Sequence, residues 1–138
     1  MKKNIKIKIN SRQSYDDDSD ENINHDTKGI LFNKNNNLYL VYDDNVYHGA
    51  RTTIKIDSEK DRIFVSRDNP DLTQIYKQDS QTIGKYDTPY GKFKLEIHTT
   101  VLDIEIEKSK GNVYIKYKLY MNKQYISQNY LQIFWNII

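Results

Sequence analysis

The segment Val113-Tyr-Ile-Lys-Tyr-Lys-Leu-Tyr-Met121 carries the longest alternating pattern in the chain. Counting from Val113, every second residue is apolar or aromatic, and lysine or tyrosine fills the positions between them. Alternation with a period of two places one set of side chains on each face of a strand. The segment therefore predicts a long strand of an antiparallel sheet, with one face turned toward a core.

The same alternation recurs along the whole chain and predicts an all-β fold. The other alternating segments are Ile5–Ile9, Gly29–Phe32, Leu38–Tyr42, Ile54–Ile56, Ile63–Val65, Phe93–Ile97, Leu102–Ile106 and Leu131–Ile137. Residues 70–85 are ambiguous and have room for a short helical turn. Nine or ten strands must bury one apolar face, in two stacked sheets or in a closed barrel. We favour a single antiparallel β-barrel domain over residues 1–138, because pairing the first strand with the last removes both free edges.

Composition supports this fold class and excludes several others. Ile, Tyr, Thr, Val, Phe and Trp together make up 48 of the 138 residues, whereas there is one Ala. These residue types favour strands and disfavour an all-helical fold. The absence of cysteine excludes disulfide bonds, a thiolate nucleophile and cysteine-ligated metal sites.

The charge balance is nearly even, with 21 basic and 19 acidic residues. A net charge of +2 is small for a dedicated nucleic-acid binder, so we do not expect a nucleic-acid partner.

The longest apolar run, Leu38–Tyr42, is far shorter than the ~20 residues of a membrane helix. Lysines interrupt the first nine residues, so no signal-peptide core follows the start. We expect a soluble cytoplasmic protein without a membrane partner, and leave open whether it forms a homodimer.

Charges also suggest a register for the hairpin that contains the longest strand. Placing Glu105 opposite Lys116 brings Asp103 opposite Lys118, with residues 108–112 in the turn. Opposite charges across a ladder stabilise by ~0.2–1 kcal/mol. This register neutralises a face of alternating lysine and tyrosine at residues 114–120, which would otherwise suit single-stranded nucleic acid.

No motif predicts catalysis, a metal or a cofactor. Asp16, Asp18 and Asp20 have the spacing of a calcium loop, but Glu21 and Thr27 break its required positions, so we interpret residues 16–26 as a solvated acidic loop. His25 and His48 fall in predicted loops, and His98 lies out of phase with the apolar residues before it. No Ser or Asp sits in a nucleophile motif.

A few polar residues share the phase of the apolar stripes and are the candidates for a binding site. Arg67 follows Ile63 and Val65, while Tyr42 and Tyr117 lie within stripes of their own strands. Inward polar groups are costly unless they are hydrogen-bonded or wetted, and convergent polar groups among apolar walls are typical of ligand sites. The alternative is that Arg67 and Tyr42 simply reach water at the barrel rim.

Four segments resemble the YwiB-like family of small uncharacterised bacterial proteins. They are Thr52–Ile56, Ile63–Arg67, Tyr86–Gly91 and Gly111–Tyr117, of which Tyr-Asp-Thr-Pro-Tyr-Gly is the most specific. One departure is Asn69, which stands where the family usually has glycine. The resemblance implies a calycin-like barrel, related in shape to lipocalins, and implies no activity.

Together these observations predict a non-enzymatic barrel that binds a small apolar or amphipathic molecule. Arg67 would pair with an anionic group. The tyrosines that would line or gate the cavity are Tyr42, Tyr86, Tyr90 and Tyr117, of which Tyr86 and Tyr90 share a phase near the barrel mouth. The alternative is an interaction module that binds a protein or single-stranded nucleic acid through its outer surface.

Overall fold

The computed structural model describes residues 2–44, 50–68 and 71–138. These residues form ten strands and no helix. The strands are β1 (Lys3–Tyr15), β2 (Asp20–Lys34), β3 (Asn37–Asp44), β4 (Ala50–Ile56), β5 (Arg62–Arg67), β6 (Leu72–Lys77), β7 (Ser80–Thr88), β8 (Gly91–Ile106), β9 (Lys110–Met121) and β10 (Gln124–Ile137). His48 and Asn69 lie outside the described residues.

The strands close into one antiparallel barrel. Each strand pairs with its neighbours in the chain, and β1 also pairs with β10, from Ile5 opposite Ile137 to Tyr15 opposite Ser127. Closure leaves no row of unpaired backbone N–H and C=O groups at a sheet edge. The predicted all-β fold and the predicted pairing of first and last strands are confirmed.

Isoleucine fills most of the barrel interior. Less than 2 % of the side chain is exposed for the isoleucines at 5, 7, 56, 63, 97 and 115. The same holds for Leu40, Tyr76 and Val113. Burying each large apolar side chain contributes ~1.5–3 kcal/mol. Trp135 lies opposite Gly111 in the β9–β10 ladder, and its indole occupies the space that a Cβ on residue 111 would need. Gly111 thereby allows the tryptophan to close one end of the barrel.

Two-residue turns fix the register of two hairpins. Asn35 and Asn36 join β2 to β3 with φ of 52° and 67°, and Asn122 and Lys123 join β9 to β10 with φ of 50° and 70°. Two successive residues with positive φ are characteristic of the type I′ turn, whose twist matches that of the flanking strands. Asparagine tolerates this conformation better than most residues.

The division of residues 70–106 into strands differs from the prediction. The ambiguous stretch 70–85 holds β6 and most of β7 rather than a helical turn. The two alternating segments around residues 93–97 and 102–106 belong to one strand, β8, whose pairing with β9 is interrupted by a bulge between Thr99 and Val101. A bulge inserts one extra residue and so changes the phase of the alternation without ending the strand.

The predicted acidic loop is mostly strand. Only residues 16–19 form a turn, and β2 begins at Asp20. Glu21, Ile23 and His25 take inward positions of β2, in phase with Gly29. The interpretation of residues 20–26 as a loop was wrong because a single apolar residue, Ile23, marks the inward face there.

The predicted β8–β9 register is also wrong. The observed pairs are Glu105–Asn112, Asp103–Tyr114, Val101–Lys116 and His98–Lys118. The turn is tighter than expected, and the amide of Glu107 donates a hydrogen bond to the carbonyl of Lys110 at 2.8 Å. Glu105 and Asp103 each pair with a β9 residue four positions closer to the turn than predicted, and an even displacement keeps these side chains on their predicted face. The lysines of β9 therefore lack the acidic partners that the prediction gave them.

Candidate ligand cavity

The inward positions of the barrel change character from one end to the other. On β1 they are Ile5, Ile7 and Ile9, followed by Ser11 and Gln13. Three other strands change in the same direction: Ile56, Ile54 and Thr52 on β4, Ile63, Val65 and Arg67 on β5, and Trp135, Ile133, Leu131 and Asn129 on β10. We call the isoleucine side, which Trp135 closes, the packed end, and the side that holds Gln13, Thr52, Arg67 and Asn129 the polar end.

A single row of the sheet brings the main polar-end residues together. In the observed registers, Tyr42 pairs with Thr52, Thr52 with Arg67, Arg67 with Leu72, and Leu72 with Tyr86. Directly opposed residues on neighbouring strands have Cβ atoms ~4.5–5.5 Å apart. Five strands thus place a guanidinium, a hydroxyl and two phenols around one side of the interior.

A cavity of about 280 Å³ lies inside the polar end. Its lining includes Arg67, Tyr42, Tyr86 and Tyr117, together with apolar side chains from β1, β2, β5, β6, β8, β9 and β10. Among the described residues that line it, Arg67 is the one lysine, arginine, aspartate or glutamate. The cavity therefore offers a single fixed positive charge in largely uncharged surroundings.

Two aromatic rings form the deepest part of this cavity. Tyr76 and Tyr117 meet edge to face, with ring centroids 4.8 Å apart and an interplanar angle of 61°. The Tyr76 hydroxyl donates a hydrogen bond to Oε1 of Gln74 at 2.6 Å. Edge-to-face pairs contribute ~0.5–1.5 kcal/mol beyond area burial, so this contact fixes the boundary between the cavity and the packed end.

Thr52 presents an unsatisfied hydroxyl to the cavity. Its side chain is 3 % exposed, and Oγ1 has no hydrogen-bond partner among the described residues. A buried polar atom without a partner costs ~1–3 kcal/mol. The hydroxyl is adjacent to Arg67 in the ladder, so both can reach the same bound group.

The structure brings together four of the five predicted site residues. Arg67, Tyr42, Tyr86 and Tyr117 all line the cavity. Tyr90 does not, because it lies in the β7–β8 turn and is 96 % exposed. The expected shared phase with Tyr86 ends at Thr88, whose hydroxyl accepts a hydrogen bond from the Tyr90 amide at 3.1 Å and donates one to the Gly91 carbonyl at 3.0 Å.

Several lining residues were missed by the sequence analysis. Thr52, Gln74 and His25 line the cavity but were not proposed for it. The signal that identifies His25 is its period-two spacing from Ile23, which the surrounding acidic residues obscure. His98 faces outward as predicted, where its ring lies 4.6 Å from that of Tyr120.

The acidic turn does not form a metal centre in the described part of the chain. No three His, Asp or Glu residues lie close enough there to hold an ion. Asp17 instead accepts hydrogen bonds from the amide and hydroxyl of Ser19, which lower the pKa of its carboxyl. These bonds close the turn between β1 and β2.

A second recess, of about 270 Å³, lies at the packed end. Its apolar lining includes Trp135 and Ile56, and Lys3, Lys60 and Lys108 line its edge. Asp57 and Glu107 contribute opposite charges to the same recess. Because both signs of charge are present, this recess does not select an anion as clearly as the cavity of the polar end.

Comparison with known proteins places the chain in a family. Residues 7–133 match the family described as domain of unknown function (DUF1934). The chain belongs to this family. It is 24 % identical over 126 residues to the uncharacterized beta-barrel protein YwiB of Bacillus subtilis (strain 168), covering 90 % of this chain and 88 % of that protein.

A solved structure shows the same fold as this DUF1934 barrel. The crystal structure of the ywiB protein from Bacillus subtilis matches with a TM-score of 0.83 at 22 % identity, over 99 % of this chain and 93 % of that one. The predicted resemblance to the YwiB-like family is confirmed, and the likeness extends to the fold. None of the described residues forms a helix with the length and apolar character needed to cross a membrane.

Proposed function

We propose that this protein binds a small amphipathic molecule with an anionic group in the cavity of the polar end, and does not transform it. The observation that carries this proposal is the juxtaposition of Arg67, the lone charge of the described lining, with the unsatisfied hydroxyl of Thr52. A guanidinium binds carboxylate or phosphate oxygens through paired N–H groups, and an adjacent hydroxyl donates a further bond.

The cavity sets the size of the ligand. Its volume of about 280 Å³ is close to the lower limit of ligand pockets, ~300 Å³, and equals that of about nine bulk water molecules. Leu72, Leu95, Leu119 and Leu131 provide walls for an apolar part. A ligand of roughly ten non-hydrogen atoms with one anionic end fits this description.

The same residues favour binding over catalysis. The described lining includes His25 but no aspartate, glutamate, lysine or cysteine, which are the other side chains that serve most often as general bases or nucleophiles. The shape analogy with lipocalins supports the proposal only by association.

Thermal unfolding in the presence of matched ligands tests the proposal. The probes are small carboxylates and phosphate monoesters, each paired with its neutral amide or alcohol. A ligand at 100 times its Kd stabilises the folded state by ~2.7 kcal/mol, which raises Tm by several degrees. We expect shifts with anionic probes alone and expect Arg67→Gln to abolish them.

Arg51→Gln is the matched control, because Arg51 lies on the outer face beside Asp43 and its side chain is 67 % exposed. It should leave the shifts unchanged. Equal shifts with anionic and neutral probes would contradict the assignment of Arg67. If Arg67→Gln fails to fold, Thr52→Val provides the test of the same site.

A further inference from the structure

Charge is distributed unevenly around the barrel. The strands β1, β10 and β9 are adjacent, in that order, and contain seven basic and no acidic residues. The rest of the chain therefore carries five more acidic than basic residues, although the net charge is only +2. Although the net charge is small, the wall formed by β1, β10 and β9 has basic residues and no carboxylate on its strands.

The outward side chains of this wall form an ordered grid. We define the β9–β10–β1 face by its outward residues, which include Lys8, Arg12, Tyr114, Lys116, Lys118, Gln128, Tyr130, Gln132 and Phe134. Lys116, Tyr130 and Arg12 are direct neighbours across the three strands. The Lys116 ammonium lies 5.6 Å from the Tyr130 ring centroid, and the Arg12 guanidinium lies 5.8 Å from it.

Competing carboxylates surround this face but do not cover its centre. Asp20 pairs with Arg12 at 3.1 Å, and Asp26 lies opposite Lys8. On the β8 side, Lys116 is opposite Val101 and Lys118 is opposite His98, so the predicted neutralisation of both lysines does not occur. Surface ion pairs contribute only ~0–1 kcal/mol and leave an arginine able to exchange partners.

We propose that the β9–β10–β1 face binds single-stranded nucleic acid, with phosphates held by Lys116, Lys118 and Arg12 and bases stacked on Tyr114 and Tyr130. Tyr114 and Tyr130 are diagonal neighbours on adjacent strands, and diagonal neighbours lie ~7–8 Å apart. Unpaired bases expose the planar surfaces that such rings contact, whereas those of a duplex are stacked inside it. The Gln132 amide adds a hydrogen-bonding group that suits a base, whereas Nε2 of Gln128 already donates to the Tyr117 carbonyl at 3.0 Å.

Fluorescence anisotropy with a labelled oligo(U) of about 15 nucleotides tests this proposal, since single-strand sites span up to ~16 nucleotides. We expect micromolar binding at about 50 mM salt, with log K falling against log[salt] at a slope of about −2 for three phosphate contacts. Tyr130→Ala should weaken binding about 5- to 100-fold, as expected for one stacked base. The double change Lys116→Gln with Lys118→Gln should reduce the slope by about 1.4.

The opposite wall supplies a matched control. Lys55 lies 4.9 Å from the Phe64 ring on β4 and β5, and β5 is diametrically opposite β10 in the ring of strands. Phe64→Ala and Lys55→Gln should leave affinity and salt slope unchanged, with thermal unfolding reporting that each variant is folded.

Three results would overturn the proposal. They are the absence of binding at about 50 mM salt, equal weakening by Phe64→Ala and Tyr130→Ala, and equal or tighter binding to polyglutamate or to phosphatidylserine vesicles. The last would assign the face to an acidic protein or to an anionic lipid surface.

Discussion

The two ends of the barrel are made by the same strands yet differ in what those strands place inside. At the packed end most of the fully buried inward residues are isoleucines, and Trp135 is 2 % exposed. At the polar end the inward positions of β1, β4, β5 and β10 hold Gln13, Thr52, Arg67 and Asn129. The backbone ladders of these four strands continue through both ends, so the difference lies in their side chains.

This division separates stability from binding. Burial of large apolar side chains stabilises the packed end, whereas a buried hydroxyl without a partner destabilises the polar end. The strands β4 and β5, which carry Thr52 and Arg67, also contribute Ile56 and Ile63 to the packed end. Arg67 and Thr52 are thereby held in place by residues that do not touch the ligand, as a preorganised site requires.

The largest effect should come from the packed end. Trp135→Ala removes a side chain that is 2 % exposed and is expected to lower the free energy of unfolding by ~3–5 kcal/mol. Chemical denaturation measures this loss. The neighbouring Phe134→Ala, on the outer face of the same strand, should cost less than half as much. Equal losses would mean that Trp135 does not close the core.

At the polar end, substitution of one buried residue is expected to raise the free energy of unfolding rather than lower it. Thr52→Val keeps the shape of the side chain and removes the unsatisfied hydroxyl, so the unliganded protein should gain ~1 kcal/mol of stability. Anion binding, measured by calorimetry with the best carboxylate probe, should weaken in the same variant. Thr53→Val, one residue along on the outer face, is the control and should change neither quantity. A destabilised Thr52→Val would show that the hydroxyl has a structural role.

A smaller, pH-dependent effect is expected at the Asp57 turn of the packed end. Burial raises the pKa of Asp57, but hydrogen bonds from residues 61 and 62 and the Arg62 guanidinium at 3.5 Å outweigh it, so this pKa lies below its ordinary value. The charged form therefore stabilises the fold above the unfolded pKa of ~3.9, and this contribution is lost as pH falls through the folded pKa.

Asp57→Asn should accordingly lower stability by ~0.5 kcal/mol at neutral pH, a modest figure because Arg62 is half exposed. The difference from the wild type should be constant above about pH 5 and should shrink below about pH 4. Urea denaturation across this range measures it. A difference that grows on acidification would contradict the direction of the pKa shift.

The smallest effect should be that of Tyr90→Ala. The side chain is 96 % exposed in the β7–β8 turn, so unfolding free energy should change by less than ~0.5 kcal/mol. Ligand affinity should not change either. A loss of affinity in calorimetry would extend the site beyond the cavity to the turn that carries Tyr90.

The packed end could be predicted from the sequence far better than the polar end. Its alternating isoleucines marked strands β1, β4, β5 and β9, and the need to bury them predicted the closed barrel. The alternation of apolar and polar residues is lost toward the polar end, because the inward positions there are themselves polar. Residues 20–26 of β2 were taken for a loop for this reason, and His25 was missed with them.

The other failures came from effects that are small or local. Charge pairing suggested the β8–β9 register, but such pairs contribute only ~0.2–1 kcal/mol, and the observed register has a tight turn at residues 107–110 instead. The bulge between Thr99 and Val101 joins two segments that were predicted as separate, and the turn after Thr88 ends the phase that Tyr86 was predicted to share with Tyr90. Arg67, Tyr42, Tyr86 and Tyr117 line one cavity, and each lies in an uninterrupted alternating segment.

Native mass spectrometry on protein purified gently from cells tests whether the polar end holds an anionic ligand through Arg67. We expect an adduct of at most a few hundred daltons on the wild type, lost on denaturation and absent from folded Arg67→Gln. A bare chain mass for the wild type, or the same adduct on both proteins, would contradict it.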